Sequence, residues 1–88
     1  MTWQTVTVTN QTGLHARPAS LFINAAAAFR SKITVTKNDR SGSAKSLLGI
    51  LALGISKGSE ITITAEGEDE AEAVAALVQL VESKFGEQ

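Results

Sequence analysis

Along residues 2 to 9, TWQTVTVT, apolar and polar positions alternate, so that Val6 and Val8 fall on one face and Thr5, Thr7 and Thr9 on the other. A period of two in β-branched residues predicts a strand buried on one side only. The same alternation returns in KITVTK at 32 to 37 and in EITITAE at 60 to 66, with Ile33, Val35, Ile61, Ile63 and Ala65 as the inward positions. Between these strands the period changes. From Arg17 onward Leu21, Phe22, Ala25, Ala26 and Phe29 recur at helical spacing and predict a helix over 16 to 28. NDRSG at 38 to 42 has turn chemistry and leads into a short third strand at 40 to 44. SLLGILAL at 46 to 53, followed by Gly54, predicts a short helix with Ser46 as its N-cap and a glycine just past its end. A last helix over 69 to 85 carries Val74, Leu77, Val78 and Val81 as one stripe, and Asp69 with Glu72 reads as a variant capping box.

The element order is therefore β-α-β-β-α-β-α. Each strand is apolar on one face only, and short connections favour antiparallel pairing. The economical architecture is an α+β two-layer sandwich, a four-stranded antiparallel sheet covered on one face by three helices.

Length and composition narrow the function classes. The 88 residues suit one domain, 1–88, and 43% apolar residues with only 5% aromatic ones predict a core of Leu, Ile, Val and Ala with a few Phe anchors. Eight Lys and Arg against nine Asp and Glu give a net charge of −1, which removes the broad attraction that direct nucleic-acid binding depends on. With no cysteine and a single histidine, disulfides, thiolate metal sites and multi-histidine metal sites are excluded, and no cofactor is called for. The N-terminus has neither the basic nor the apolar region of a signal peptide, and no apolar run reaches the length of a membrane span. The expectation is a cytoplasmic monomer with no membrane insertion.

That single histidine lies in TGLHARPAS, residues 12 to 20, three positions before the only proline. Proline is tolerated in the first turn of a helix, where its missing N–H would have no partner, so Pro18 places the N-cap at about residues 15 to 17. His15 then stands where free backbone N–H groups and the positive end of the helix dipole face outward, an arrangement that binds anions. Ala16, Arg17 and Pro18 form the helix end around it, and the Arg17 guanidinium can hold phosphate oxygens bidentately. The constellation is a nucleophile beside its own anion cradle. On spacing alone, a solvated or capping histidine is the commoner outcome, and that reading stays open. A Ser/His/Asp hydrolase fits poorly, because so short a chain leaves little room for a substrate cleft.

The short helix presents a second problem. Leu47, Leu48, Ile50, Leu51, Ala52 and Leu53 are all apolar, yet a helix on a two-layer domain buries only about half its circumference. Some of these side chains must face water, and an exposed cluster of this kind is either a partner site or an incidental patch. Ser46 has a plain role as N-cap and a second reading as a switch. A phosphate there would add roughly −1.5 to −2 charge, tolerated by the helix end and hostile to an apolar docking surface.

GLHARPA at 13 to 19, followed by KSLLGILALG at 45 to 54, resembles the histidine-containing phosphocarrier (HPr) family of the bacterial phosphoenolpyruvate:sugar phosphotransferase system. The resemblance covers essentially the whole chain. It implies an open-faced β-sandwich and a phosphocarrier, not a stand-alone enzyme: His15 is phosphorylated on Nδ1 by enzyme I, Arg17 stabilises the phosphate, and IIA domains of sugar permeases receive it. It also implies that Ser46 is the target of HPr kinase/phosphorylase, and that Leu47, Leu48 and Leu51 dock enzyme I and IIA. A nitrogen-related branch, a carrier for dihydroxyacetone kinase, and a Ser46-phosphorylated corepressor of a catabolite-control transcription factor are the alternatives. Gly42 and Ser43 depart from the family pattern of an apolar residue followed by a polar one, which leaves the third strand the least defined element.

Overall fold

The structure, a computed structural model, describes residues 1–87. Its elements are β1 (Thr2–Thr7), α1 (Ala16–Ala27), β2 (Lys32–Lys37), β3 (Arg40–Ser43), α2 (Leu47–Ala52), β4 (Glu60–Glu66) and α3 (Glu70–Glu82), with a 3₁₀ turn at Lys84–Gly86. The order is the one the periodicity predicts. The four strands form one sheet in the order β1-β4-β2-β3, and every neighbouring pair is antiparallel.

Register explains the alternation. Trp3, Thr64, Thr34 and Ser43 align across the sheet in one row and Thr5, Thr62, Thr36 and Ser41 in the next. Side chains in one such row share a face, so the outer face is surfaced by hydroxyls, with Thr5 and Thr62 oxygens 3.0 Å apart and Thr36 and Ser41 likewise. Val6, Ile61, Ile63, Ala65, Ile33 and Val35 take the opposite face and are buried under the helices. Helix α1 contributes Pro18, Ala19, Phe22 and Ala26 to that core, and α3 contributes Ala73, Val74, Leu77, Val78 and Val81. The result is an open-faced β-sandwich.

Strand β1 ends at Thr7 and not at Thr9. Val8 remains tied to the approach of β4, donating to the Ser59 carbonyl and accepting from the Gly58 N–H. Strand β3 stops one residue short of Ala44, which is buried. The third strand nevertheless exists, with Gly42 paired to Val35 of β2, and a Cβ at 42 would lie 2.8 Å from the Gly49 carbonyl oxygen. Glycine at 42 is what allows α2 to lie close against β3.

The start of α3 departs from the expected capping box. Asp69 is the N-cap but its side chain makes no cap bond, and Glu72 is not its partner. The Asp69 carboxylate instead accepts from the Arg30 N–H at 2.8 Å, the Ser31 N–H at 2.9 Å and the Ser31 hydroxyl. Backbone donors past the end of α1 need acceptors, and Ser31 is fully buried, so a carboxylate reaching across is worth more there than at its own helix. Glu70 does the local work: it accepts from the Gly67 N–H at 3.2 Å and the Thr2 hydroxyl at 2.6 Å, and lies 2.9 Å from the N-terminal ammonium.

These bonds set an acid limit on the fold. The Ser31 hydroxyl, aided by the Arg30 N–H, holds the Asp69 carboxyl below its ordinary range, and the Thr2 hydroxyl with the N-terminus lowers Glu70 to about 2. A folded-state pKa below the unfolded one means that the unfolded chain binds more protons in acid. The stabilisation is therefore complete above about pH 5 and is lost as pH falls toward 2. The urea midpoint should drop across that window. In a variant carrying Asp69→Asn and Glu70→Gln it should start lower at neutral pH and change less with acid; an unaltered slope would contradict this origin.

Candidate functional site at the mouth of the first helix

His15 is the N-cap of α1, with extended backbone at φ −122° and ψ 156°. Its ring makes no capping bond and is exposed. Helix geometry leaves the first N–H groups without intrahelical acceptors, and since Pro18 has no N–H, Ala16 and Arg17 are the donors at this end. Pro18 is the third helical residue and is buried, so its part in the cradle is to hold the first turn against the core. Ala16 has φ +48°, a left-handed conformation that costs a residue with a Cβ of order 1 kcal/mol. The strain falls on the residue immediately after His15, within the helix mouth itself.

The loop before His15 is fastened from several sides. Asn10 is 1% exposed, and its Nδ2 donates to the Gly13 carbonyl at 2.9 Å while the Gly13 N–H returns to the Asn10 carbonyl at 3.3 Å. Gly13 sits at φ +64°, and a Cβ there would lie 2.5 Å from the Ile55 carbonyl oxygen. The Leu14 N–H donates to that same oxygen at 3.0 Å, and Leu14 is buried. His15 thus follows a residue clamped to the segment just past α2. In the sequence Asn10 opens NQTG, a cluster of turn formers at 10 to 13, and an amide three residues before a glycine is the signal that could have found this bond.

Helix α2 resolves the surplus of leucines. Ile50 and Leu53 enter the core, whereas Leu48 is 80% exposed, Leu47 46% and Leu51 37%. The Ser46 hydroxyl accepts from the Gly49 N–H at 3.1 Å, the N-cap bond expected of it. Two lysines complement helix ends: Lys45 Nζ donates to the Phe29 carbonyl beyond α1, and Lys37 Nζ to the Gly54 carbonyl beyond α2, each at 2.7 Å. Replacing Ser46 by Ala should lower stability by about 1 kcal/mol through the lost cap. Ser46→Asp, which keeps a capping oxygen, should retain most of it in the same urea titration; equal losses would argue against the cap.

Among the described residues no group of three or more His, Asp or Glu side chains is placed to hold a metal ion. What the site offers is an imidazole with no hydrogen-bond partner among the described residues, backbone donors, an exposed guanidinium and a neighbouring apolar face. Those parts serve transfer of an anionic group between proteins, since transfer of a phosphoryl group depends chiefly on positioning and electrostatics.

The fold and this helix mouth place the chain in the class of small phosphocarrier proteins. A family model described as "PTS HPr component phosphorylation site" matches residues 3–83. The phosphocarrier protein HPr of Neisseria meningitidis is 42% identical over 84 residues, covering 96% of this chain and 94% of that protein. Among solved structures, HPr-C-His from Thermoanaerobacter tengcongensis superposes with a TM-score of 0.99 at 51% identity, over 100% of this chain and 99% of that one. HPr from Bacillus anthracis gives 0.89 at 44% identity, over 91% and 95%. The chain belongs to the HPr family, the phosphocarriers of the phosphotransferase system.

Proposed function

We propose that His15 carries the phosphoryl group on Nδ1, taking it from phosphorylated enzyme I and giving it to IIA domains of sugar permeases. The observation that carries this reading is the exposed, unbonded imidazole at the N-cap of α1, with Arg17 two residues on. In the first step the Nδ1 lone pair attacks phosphorus while the bond from phosphorus to enzyme I breaks; in the second a nucleophile of the IIA domain attacks phosphorus while the Nδ1–P bond breaks, which returns the free imidazole. The developing negative charge on the phosphoryl oxygens meets the N–H groups of Ala16 and Arg17, the helix dipole and the Arg17 guanidinium. A phosphoramidate on imidazole retains the high transfer potential a relay needs.

Leu47, Leu48 and Leu51 are the docking face, joined to His15 through the bond from Leu14 to Ile55. Ser46 is the regulatory site for an ATP-dependent HPr kinase/phosphorylase: its phosphate sits at a helix N-terminus, so the fold persists, while two negative charges beside exposed leucines oppose docking. In that form the protein is also the partner of a catabolite-control transcription factor. Residues 1–88 act as one domain in the cytoplasm.

The reading is tested by incubating the protein with phosphoenolpyruvate and enzyme I, then adding a IIA domain. One acid-labile, base-stable phosphate should appear and then move to IIA. Failure to accept phosphate, or acceptance without onward transfer, would overturn it.

A further inference from the structure

The C-terminal turn returns to the loop that precedes the histidine. Lys84, Phe85 and Gly86 have φ of +59°, +56° and +79°, three successive left-handed residues of which two carry a Cβ. Such conformations persist only where surrounding structure over-determines them. Here Phe85 is anchored in the core at 3% exposure, and the reversal brings Glu87 to the loop of residues 10 to 13. Its Oε2 accepts from the Thr12 hydroxyl at 3.0 Å and from Asn10 Nδ2 at 3.4 Å. The same Nδ2 donates to the Gly13 carbonyl and toward the Thr12 hydroxyl oxygen, and among the described residues the buried Asn10 Oδ1 has no partner. Among the described residues the amide is thus held through its nitrogen, and the acceptors around that nitrogen decide where it sits.

We propose that Glu87 is a positioning residue for phosphoryl transfer: its carboxylate clasps Thr12 and Asn10 and so fixes the loop that sets the place of His15. The proposal rests on the reading of His15 as acceptor. In-line displacement is sensitive to placement, and errors on the order of 1 Å cost large factors in rate. The side-chain bonds of Glu87 go to Thr12 and Asn10 in the loop before the histidine and none goes to α2, so it acts on the transfer step and leaves docking alone.

The test uses the full chain with Glu87→Ala, Glu87→Gln and Thr12→Val, each as substrate of enzyme I, together with amide hydrogen exchange at Gly13 and Leu14. Glu87→Ala should lower kcat by about three- to tenfold with KM changed less than about twofold, and should speed exchange at both amides by about fivefold. Glu87→Gln, which keeps a carbonyl acceptor, should recover most of both effects. Thr12→Val combined with Glu87→Ala should be little worse than either alone, since both break one clasp. Unchanged exchange in Glu87→Ala, or faster exchange with wild-type kcat, overturns the proposal, as does a loss confined to KM. Exchange is read without enzyme I, so if wild-type protein accepts no phosphate, the acceptor reading fails separately from the clasp.

Discussion

His15→Ala is expected to abolish phosphate uptake from enzyme I and phosphoenolpyruvate, by at least about 10³-fold, while leaving the thermal midpoint within a few degrees of wild type. The first half follows from chemistry: the chain has one histidine, so no second imidazole can form the same phosphoryl bond. The second half follows from structure, because the ring is exposed and its side chain caps nothing. Radiolabelled phosphate retained on the protein after gel filtration measures uptake, and circular dichroism measures the midpoint. Acid-labile phosphate on the Ala variant would place the acceptor elsewhere. A large fall in the midpoint would instead give His15 a structural role.

The second large effect is expected at Gly13. Alanine there faces two penalties, the left-handed φ of +64° and a Cβ placed 2.5 Å from the Ile55 carbonyl oxygen and 2.6 Å from the Ser56 Cα. Both neighbours are backbone, so neither can swing away as a side chain would. The combined destabilisation should be about 2–4 kcal/mol, the sum of a conformational cost and an overpacking cost. Moving this contact also disturbs the Leu14 to Ile55 bond and with it the link between His15 and α2. Gly13→Ala should therefore lose transfer activity even at temperatures where it is fully folded. A urea titration paired with the enzyme I assay separates the two effects, and wild-type stability in Gly13→Ala would refute the close approach.

Gly54 makes a useful contrast. It too is left-handed, at φ +63°, but a Cβ there would meet nothing within 4 Å. The requirement at Gly13 is thus for space as well as for conformation, and only the second was visible in the turn-forming NQTG stretch.

How far the chain could be read without coordinates depends on the range of the interactions involved. The strands, the Ser46 cap and the surplus of leucines in α2 are local in origin: a period of two, a hydroxyl before a helix, and more apolar residues than one face can hide. All three appear in the structure at or within two residues of the expected positions. The helix mouth was legible for the same reason, since Pro18 marks a first turn wherever it occurs. Asp69 shows the limit. Locally it looks like the start of a capping box, but the stronger claim on its carboxylate comes from Arg30 and Ser31, 39 and 38 residues away. Periodicity carries no information about which distant donors lack acceptors.

The end of the chain was illegible for a related reason. A helix running to 85 satisfies the apolar stripe, and Phe85 is buried, yet α3 stops at Glu82 and the left-handed turn intervenes. Gly86 hints at a C-terminal signal; Lys84 and Phe85 in the same conformation do not. Their placement comes from what the turn packs against, including the loop before the histidine.

Phosphorylation at a named atom is the most direct test of the central claim. Protein labelled with ¹⁵N in its imidazole, phosphorylated through enzyme I and phosphoenolpyruvate, should show a single new phosphorus resonance coupled to Nδ1 of His15. That resonance should vanish on addition of a IIA domain. Phosphorus coupled to the other ring nitrogen, borne by a hydroxyl oxygen, or retained when IIA is present would contradict the account.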